Sequence, residues 1–185
     1  KTYPGRASIS PVLDLFITLL VMGRDGFEAV RKERLELAQK EFPQMLVRVA
    51  AKHGLRVRSS PRNTISFAVG LGPLERVGDV TRDMTELGSM LFLRGVSGAR
   101  VVSRGATETV AGHTFAGYGS SFSSYPESYV TLACALGMTL EDVRTLERRL
   151  DGALADFVKQ REKRVSAVRD APSSQPRQED GAGPP

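Results

Sequence analysis

Apolar positions in the first 53 residues recur at helical spacing. Ser10-Pro11 sets an N-cap residue ahead of proline at the first helical position, and the apolar run from Val12 to Met22 is expected to continue as a mostly buried helix. Gly23 and Gly26 interrupt it. A second helix is predicted from about Phe27, with Phe27, Val30, Leu35, Phe42, Met45, Leu46 and Val49 on one face and Arg, Lys and Glu opposite. Pro43 is expected to bend or split this helix, and Gly54 to end it with a left-handed cap.

After Gly54 the period falls from 3.6 to 2. Leu55-Arg56-Val57-Arg58 and Ile65-Ser66-Phe67-Ala68-Val69 alternate on either side of the turn-rich Ser59-Ser60-Pro61-Arg62-Asn63, which predicts an antiparallel pair. A helix from about Asp79 to Leu93 and a strand over Ala99 to Ser103 follow, and the glycine-spaced stretch from Thr109 to Ser124 has room for one or two short strands. Pro126 and Gly137 bracket a further predicted helix. Thr139-Leu140-Glu141-Asp142 has the form of a capping box, with Met138 and Val143 placed as a hydrophobic staple. Leu140, Val143, Leu146, Leu150, Leu154, Phe157 and Val158 then form a sustained stripe.

From about Ser166 the chain turns to Ser, Pro, Gln, Gly and charge without periodicity, the composition of a disordered tail. The order of elements suits an α+β layer, with helices packed on a small antiparallel sheet. Three regions are expected: linking helices at 1–53, an α+β unit at 54–165 and a tail at 166–185.

Composition changes this picture in two ways. The chain has 185 residues and a formal charge of +5, which favours an anionic partner such as nucleic acid, phosphate or a membrane surface. Cys134 is the only cysteine, so an intramolecular disulfide is excluded, and its apolar neighbours predict a buried, inert thiol in a reducing compartment. The run from Val12 to Met22 includes Asp14 and falls short of the ~20 apolar residues of a membrane span. A soluble, intracellular protein is expected, with further polypeptide upstream of Lys1.

Candidate chemistry concentrates at arginines beside small residues. Arg6, in Tyr3-Pro4-Gly5-Arg6-Ala7-Ser8, precedes a predicted helix N-terminus, where backbone N–H groups and a guanidinium together favour an anion. On the residues alone, a solvated arginine capping its own loop explains it equally well. Arg94 ends a predicted helix ahead of Gly95-Val96-Ser97-Gly98, placed to reach a base or a backbone phosphate, or simply to sit as a cation at a helix C-terminus. Lys159, Arg161, Lys163 and Arg164 form a basic run, of a kind that is more often a solvated face. His53 and His113 have no partners at metal-ligand spacing, and Gly70-Leu71-Gly72-Pro73 lacks the third glycine of a dinucleotide fingerprint.

The Tyr3–Ser8 segment and the segment from Leu87 to Val102, with Ser97-Gly98-Ala99-Arg100-Val101-Val102 at its end, resemble the O-phosphoseryl-tRNA(Sec) selenium transferases, the archaeal and eukaryotic selenocysteine synthases. Tyr125-Pro126 and Ala135-Leu136-Gly137-Met138 also look like family positions. The resemblance runs to about Arg164 and is weakest from Phe42 to Thr81. It implies the small C-terminal domain of a fold-type I pyridoxal-phosphate transferase, preceded by a linking helix.

In that family phosphoserine on tRNA(Sec) is converted to selenocysteine with selenophosphate, in the cytoplasm, by a homotetramer. The resemblance implies that Arg6 holds the substrate phosphate, that Arg94 reads the discriminator base and that Lys159 contacts the tRNA. Arg100 matches as well, with a structural or interface role preferred for it. The cofactor lysine is expected upstream, since Lys1 does not match it, so no catalytic residue is expected within this chain. Two alternatives stand beside this function: a non-catalytic tRNA-binding fragment or isoform, and another fold-type I enzyme such as a decarboxylase or desulfurase.

Overall fold

The computed structural model describes residues 8–75, 80–120, 122 and 124–169. Along the chain lie α1 (Ser10–Gln39), α2 (Glu41–Lys52), β1 (Arg56–Arg58), β2 (Ser66–Gly70), a 3-10 turn at Gly72–Leu74, and α3 (Val80–Leu93). Then come β3 (Arg100–Val102), β4 (Thr107–Val110), β5 (His113–Ala116), β6 (Tyr129–Ala133) and α4 (Leu140–Arg169). The expected α+β architecture is present.

Four strands form one antiparallel sheet in the order β1-β2-β6-β3, and β4 and β5 form a separate hairpin. Register explains which face of the sheet is buried. Val57 pairs with Val69, Val69 with Val130, and Val130 with Val101, so one apolar row crosses all four strands. Those residues join a core with Phe42, Met45, Leu46 and Val49 of α2, Met84, Leu87 and Leu91 of α3, and Leu150, Leu154 and Phe157 of α4. The neighbouring register row, Arg58–Ala68–Thr131–Arg100, belongs to the opposite face. Because α2 supplies so much of this core, it packs with the sheet, although it lies N-terminal of residue 54.

Local grammar holds at several ends. Leu55 N–H donates to the Ala50 carbonyl at 2.8 Å across the left-handed Gly54, closing α2. At α4, the Thr139 N–H donates to Asp142 Oδ2 at 2.8 Å and the Asp142 N–H to Thr139 Oγ1 at 3.2 Å, so the capping box forms. Met138 and Val143 both pack on the core beside it. Cys134 is buried, and burial pushes its thiol pKa up against the opposing effect of Arg34.

Four expectations need correction. The run from Val12 to Met22 is helical but not buried: Phe16, Leu20 and Val21 are among its exposed side chains, because the core begins only at Ala38. The second helix does not break at Pro43. Its break is at Lys40 (φ −123°, ψ −75°), which leaves Pro43 in the first turn of α2, where its missing N–H costs no helical bond. The segment between Pro126 and Gly137 is no helix: its centre is β6, where alternating Tyr129, Val130, Thr131 and Leu132 suit a strand paired on both sides. Finally, α4 continues through Ser166 to Arg169, into the stretch expected to lack structure.

Candidate nucleic-acid interface

The long helix α4 is fastened along α3 by charge. Arg161 Nε lies 3.3 Å from Asp83 Oδ2, with the two side chains only 13% and 12% exposed. The same guanidinium sits 5.5 Å from the centroid of the Phe157 ring, a cation–π contact. One turn on, Arg164 forks onto Glu86, with Nη1 and Nη2 donating at 2.7 and 2.6 Å. The Arg164 hydrogen bonds hold the Glu86 carboxyl below its usual pKa, and Glu86 in turn raises that of Arg164. Two members of the basic run are therefore pins between helices. Lys159 and Lys163, one turn apart, remain exposed.

Arg94 is the first residue past α3. Its Nη2 is paired with the Asp156 carboxylate of α4, and its Nη1 donates to the Met90 carbonyl at 3.3 Å. Asp156 and Lys159 are three residues apart on α4 and so share one surface. The structure thus pairs Arg94 with a residue of α4 three positions before Lys159, which is itself exposed on the helix. Arg94 does not extend freely from the helix end. Its carboxylate partner is 53% exposed, however, and such a pair is worth only about 0–1 kcal/mol, so an RNA phosphate or base edge can displace it at little cost.

After Arg94 the chain turns through Gly95 at φ +73°. A Cβ there would lie 2.9 Å from Arg149 Nη1, which itself donates to the Gly95 carbonyl at 3.1 Å. The left-handed conformation favours glycine here, while the approach involves only the flexible tip of Arg149. Arg100 Nη2 donates to the Gly119 carbonyl, tying β3 to the loop after β5. Arg6 lies outside the described residues.

Sequence reasoning missed Asp156 on this surface and the buried Asp83 beneath it, and it named Lys163 only as a member of the basic run, although its spacing of four from Lys159 could have marked it as a neighbour on the exposed face. Asp156 and Asp83 were missed because their arginine partners are distant in sequence, and no local signal names them. Among the described residues, no group of three or more His, Cys, Asp or Glu could hold a metal ion, and no helix is long and apolar enough to cross a membrane.

The family model described as "O-phosphoseryl-tRNA(Sec) selenium transferase, SepSecS" matches residues 1–155. A relative from Dictyostelium discoideum with the same description is 35% identical over 163 residues, covering 81% of this chain and 34% of its own. One from Caenorhabditis elegans is 33% identical over 161 residues, covering 86% of this chain and 32% of its own. A crystal structure of an archaeal O-phosphoseryl-tRNA(Sec) selenium transferase superimposes with a TM-score of 0.60 at 22% identity, over 81% of this chain and 30% of its own, which speaks to the fold. The chain spans about a third of the length of these relatives.

Proposed function

The chain belongs to the O-phosphoseryl-tRNA(Sec) selenium transferase family, and from that membership we propose that it is the C-terminal part of an enzyme converting O-phosphoseryl-tRNA(Sec) to selenocysteinyl-tRNA(Sec) with selenophosphate. The share of the work carried by this segment is to hold the tRNA. What supports this reading is the Arg94–Asp156 pair between α3 and α4, with Lys159 and Lys163 exposed on the following turns of α4.

On this surface the two cations act differently. A lysine ammonium is a point charge that takes a phosphate of any sequence, releasing counterions as it does so. An arginine fork can pair with a base edge, so Arg94 is the group suited to reading a nucleotide at the acceptor end. The pins at Asp83–Arg161 and Glu86–Arg164 hold α4 against α3. Arg6 is assigned the substrate phosphate. A guanidinium there would stabilise the negative charge that grows as the phosphate departs.

The described residues offer no fit for pyridoxal phosphate. Lys32, Lys40, Lys52, Lys159 and Lys163 are all exposed, and Lys52 is engaged with Asp151 at 2.6 Å. The cofactor and its lysine are therefore assigned to the part of the family polypeptide that this chain does not span. The exposed apolar surface of α1 is assigned to contacts with that part or with partner subunits, in a cytoplasmic homotetramer.

A polypeptide of the relatives' full length carrying this segment should convert phosphoseryl-tRNA(Sec) when given selenophosphate and pyridoxal phosphate. Failure to make selenocysteinyl-tRNA, with tRNA binding intact, would reduce the protein to a binding module.

A further inference from the structure

Beside the seam lies a cavity of about 360 Å³, within the roughly 300–1,000 Å³ typical of small-ligand clefts. It opens where the Gly95–Ala99 loop, the end of β6 and the first turns of α4 converge. Leu132, Met138 and Leu146 give it apolar walls, Gly98 lies on the loop side, and Arg149 and Asp142 contribute opposite charges.

Arg149 differs from the other arginines of this region. Arg94, Arg161 and Arg164 are paired with carboxylates, whereas the contact recorded for Arg149 is the neutral Gly95 carbonyl. Among the described residues it has no carboxylate within ion-pair range. That carbonyl orients the guanidinium without neutralising it. Apolar walls with an oriented guanidinium and the Asp142 carboxylate suit a planar group whose edge both accepts and donates hydrogen bonds, as the edge of a nucleobase does.

Position supports the same ligand. Gly95 directly follows Arg94, and Arg149 lies seven residues before Asp156 on the same side of α4, about 10 Å along the axis at 1.5 Å per residue. RNA held at the seam therefore passes the mouth of the cavity within one or two nucleotides.

We propose that this cavity receives one unstacked nucleobase from the single-stranded end of the RNA bound at the Arg94–Lys159 seam, resting on the RNA-binding role proposed above. The base lies against Met138 and Leu146, with the Arg149 guanidinium on its edge or face, which is how proteins commonly take splayed RNA bases. Gly98 keeps the entrance open. A Cβ added there meets nothing within 4 Å, and its φ is not left-handed, so a larger side chain can occupy the space without backbone strain.

The test uses the 185-residue chain and two hairpin RNAs with the same stem, one blunt and one with a four-nucleotide 3′ overhang. The unsubstituted protein should bind the overhang RNA about tenfold more tightly, the scale of one stacked base. Gly98→Leu should erase that preference while leaving affinity for the blunt hairpin unchanged, with circular dichroism confirming the fold. Arg149→Gln, a second variant in case Gly98→Leu does not fold, should lose most of the preference. Equal affinity of the unsubstituted protein for both hairpins, or a preference that survives in a folded variant, overturns the cavity assignment and leaves the seam standing. No binding to either hairpin overturns the seam and the cavity together.

Discussion

Replacing Asp83 tests how α4 is held in place. Asp83 and Arg161 are 12% and 13% exposed, so removing the carboxylate takes a charge partner from a guanidinium that is nearly out of water. Breaking one side of a buried ion pair costs about 3–5 kcal/mol, against about 0–1 kcal/mol for an exposed one. Arg161 keeps its contact with the Phe157 ring, which places Asp83→Ala at the lower end, about 3 kcal/mol.

With a urea slope of about 1–3 kcal/mol per molar, the unfolding midpoint should fall by about 1–3 M. Glu86→Ala supplies the internal contrast. It removes the fork from Arg164, which is already 51% exposed and keeps Asp83 Oδ1 at 4.0 Å, and should cost less than about 1 kcal/mol. The assay is urea unfolding followed by far-ultraviolet circular dichroism, with Asp83→Leu/Arg161→Met closing a double-mutant cycle. The double variant should lose much less than the sum of its single variants. Equal losses for Asp83→Ala and Glu86→Ala, with no coupling in the cycle, would refute the claim that a desolvated pair fastens the helices.

Two further outcomes are expected. Lys52 first, and then His53 at 2.7 Å, hold the Asp151 carboxyl below its ordinary value of 3.8. A depressed folded pKa gives stability that is present above the ordinary value and lost as pH falls through the lower folded one. Asp151→Asn should therefore lower the urea midpoint at pH 7 and flatten its decline in acid; an unchanged acid limb would remove Asp151 from that role. Arg6→Ala, in a polypeptide of the relatives' full length, should abolish turnover while sparing tRNA binding, and near-normal turnover would end the assignment of the substrate phosphate to Arg6.

What could be read from the sequence was local. The Thr139–Asp142 box, the Gly54 stop and the alternation on either side of Pro61 each announce themselves within a few residues, and each is present. The strand β6 was hidden because Pro126 and Gly137 bracket it as they would a helix, and its partners β2 and β3 are distant in sequence. Periodicity showed which side of α2 is apolar, but not that this side meets the sheet. The apolar run of α1 likewise announces burial without naming a partner, and among the described residues its side chains stay exposed.

The site divided along the same line. Arg94 and Lys159 were chosen from segments that resemble a family, and the Asp156 partner of Arg94 became visible only with the packing of α3 on α4. Arg161 and Arg164 looked equivalent to Lys159 until Asp83 and Glu86 were brought opposite them.

Binding of tRNA(Sec) and a non-cognate tRNA across a range of salt, by a polypeptide of the relatives' full length, tests the central claim most directly. Arg94→Ala should weaken tRNA(Sec) by about 1–3 kcal/mol and relax preference at the discriminator position, with little change for the non-cognate RNA. Lys159→Ala should weaken both RNAs alike and reduce the slope of log affinity against log salt by about one phosphate contact. Equal losses for both variants on both RNAs would make the seam a charged face without base readout, and no loss for either would show that the tRNA does not bind there.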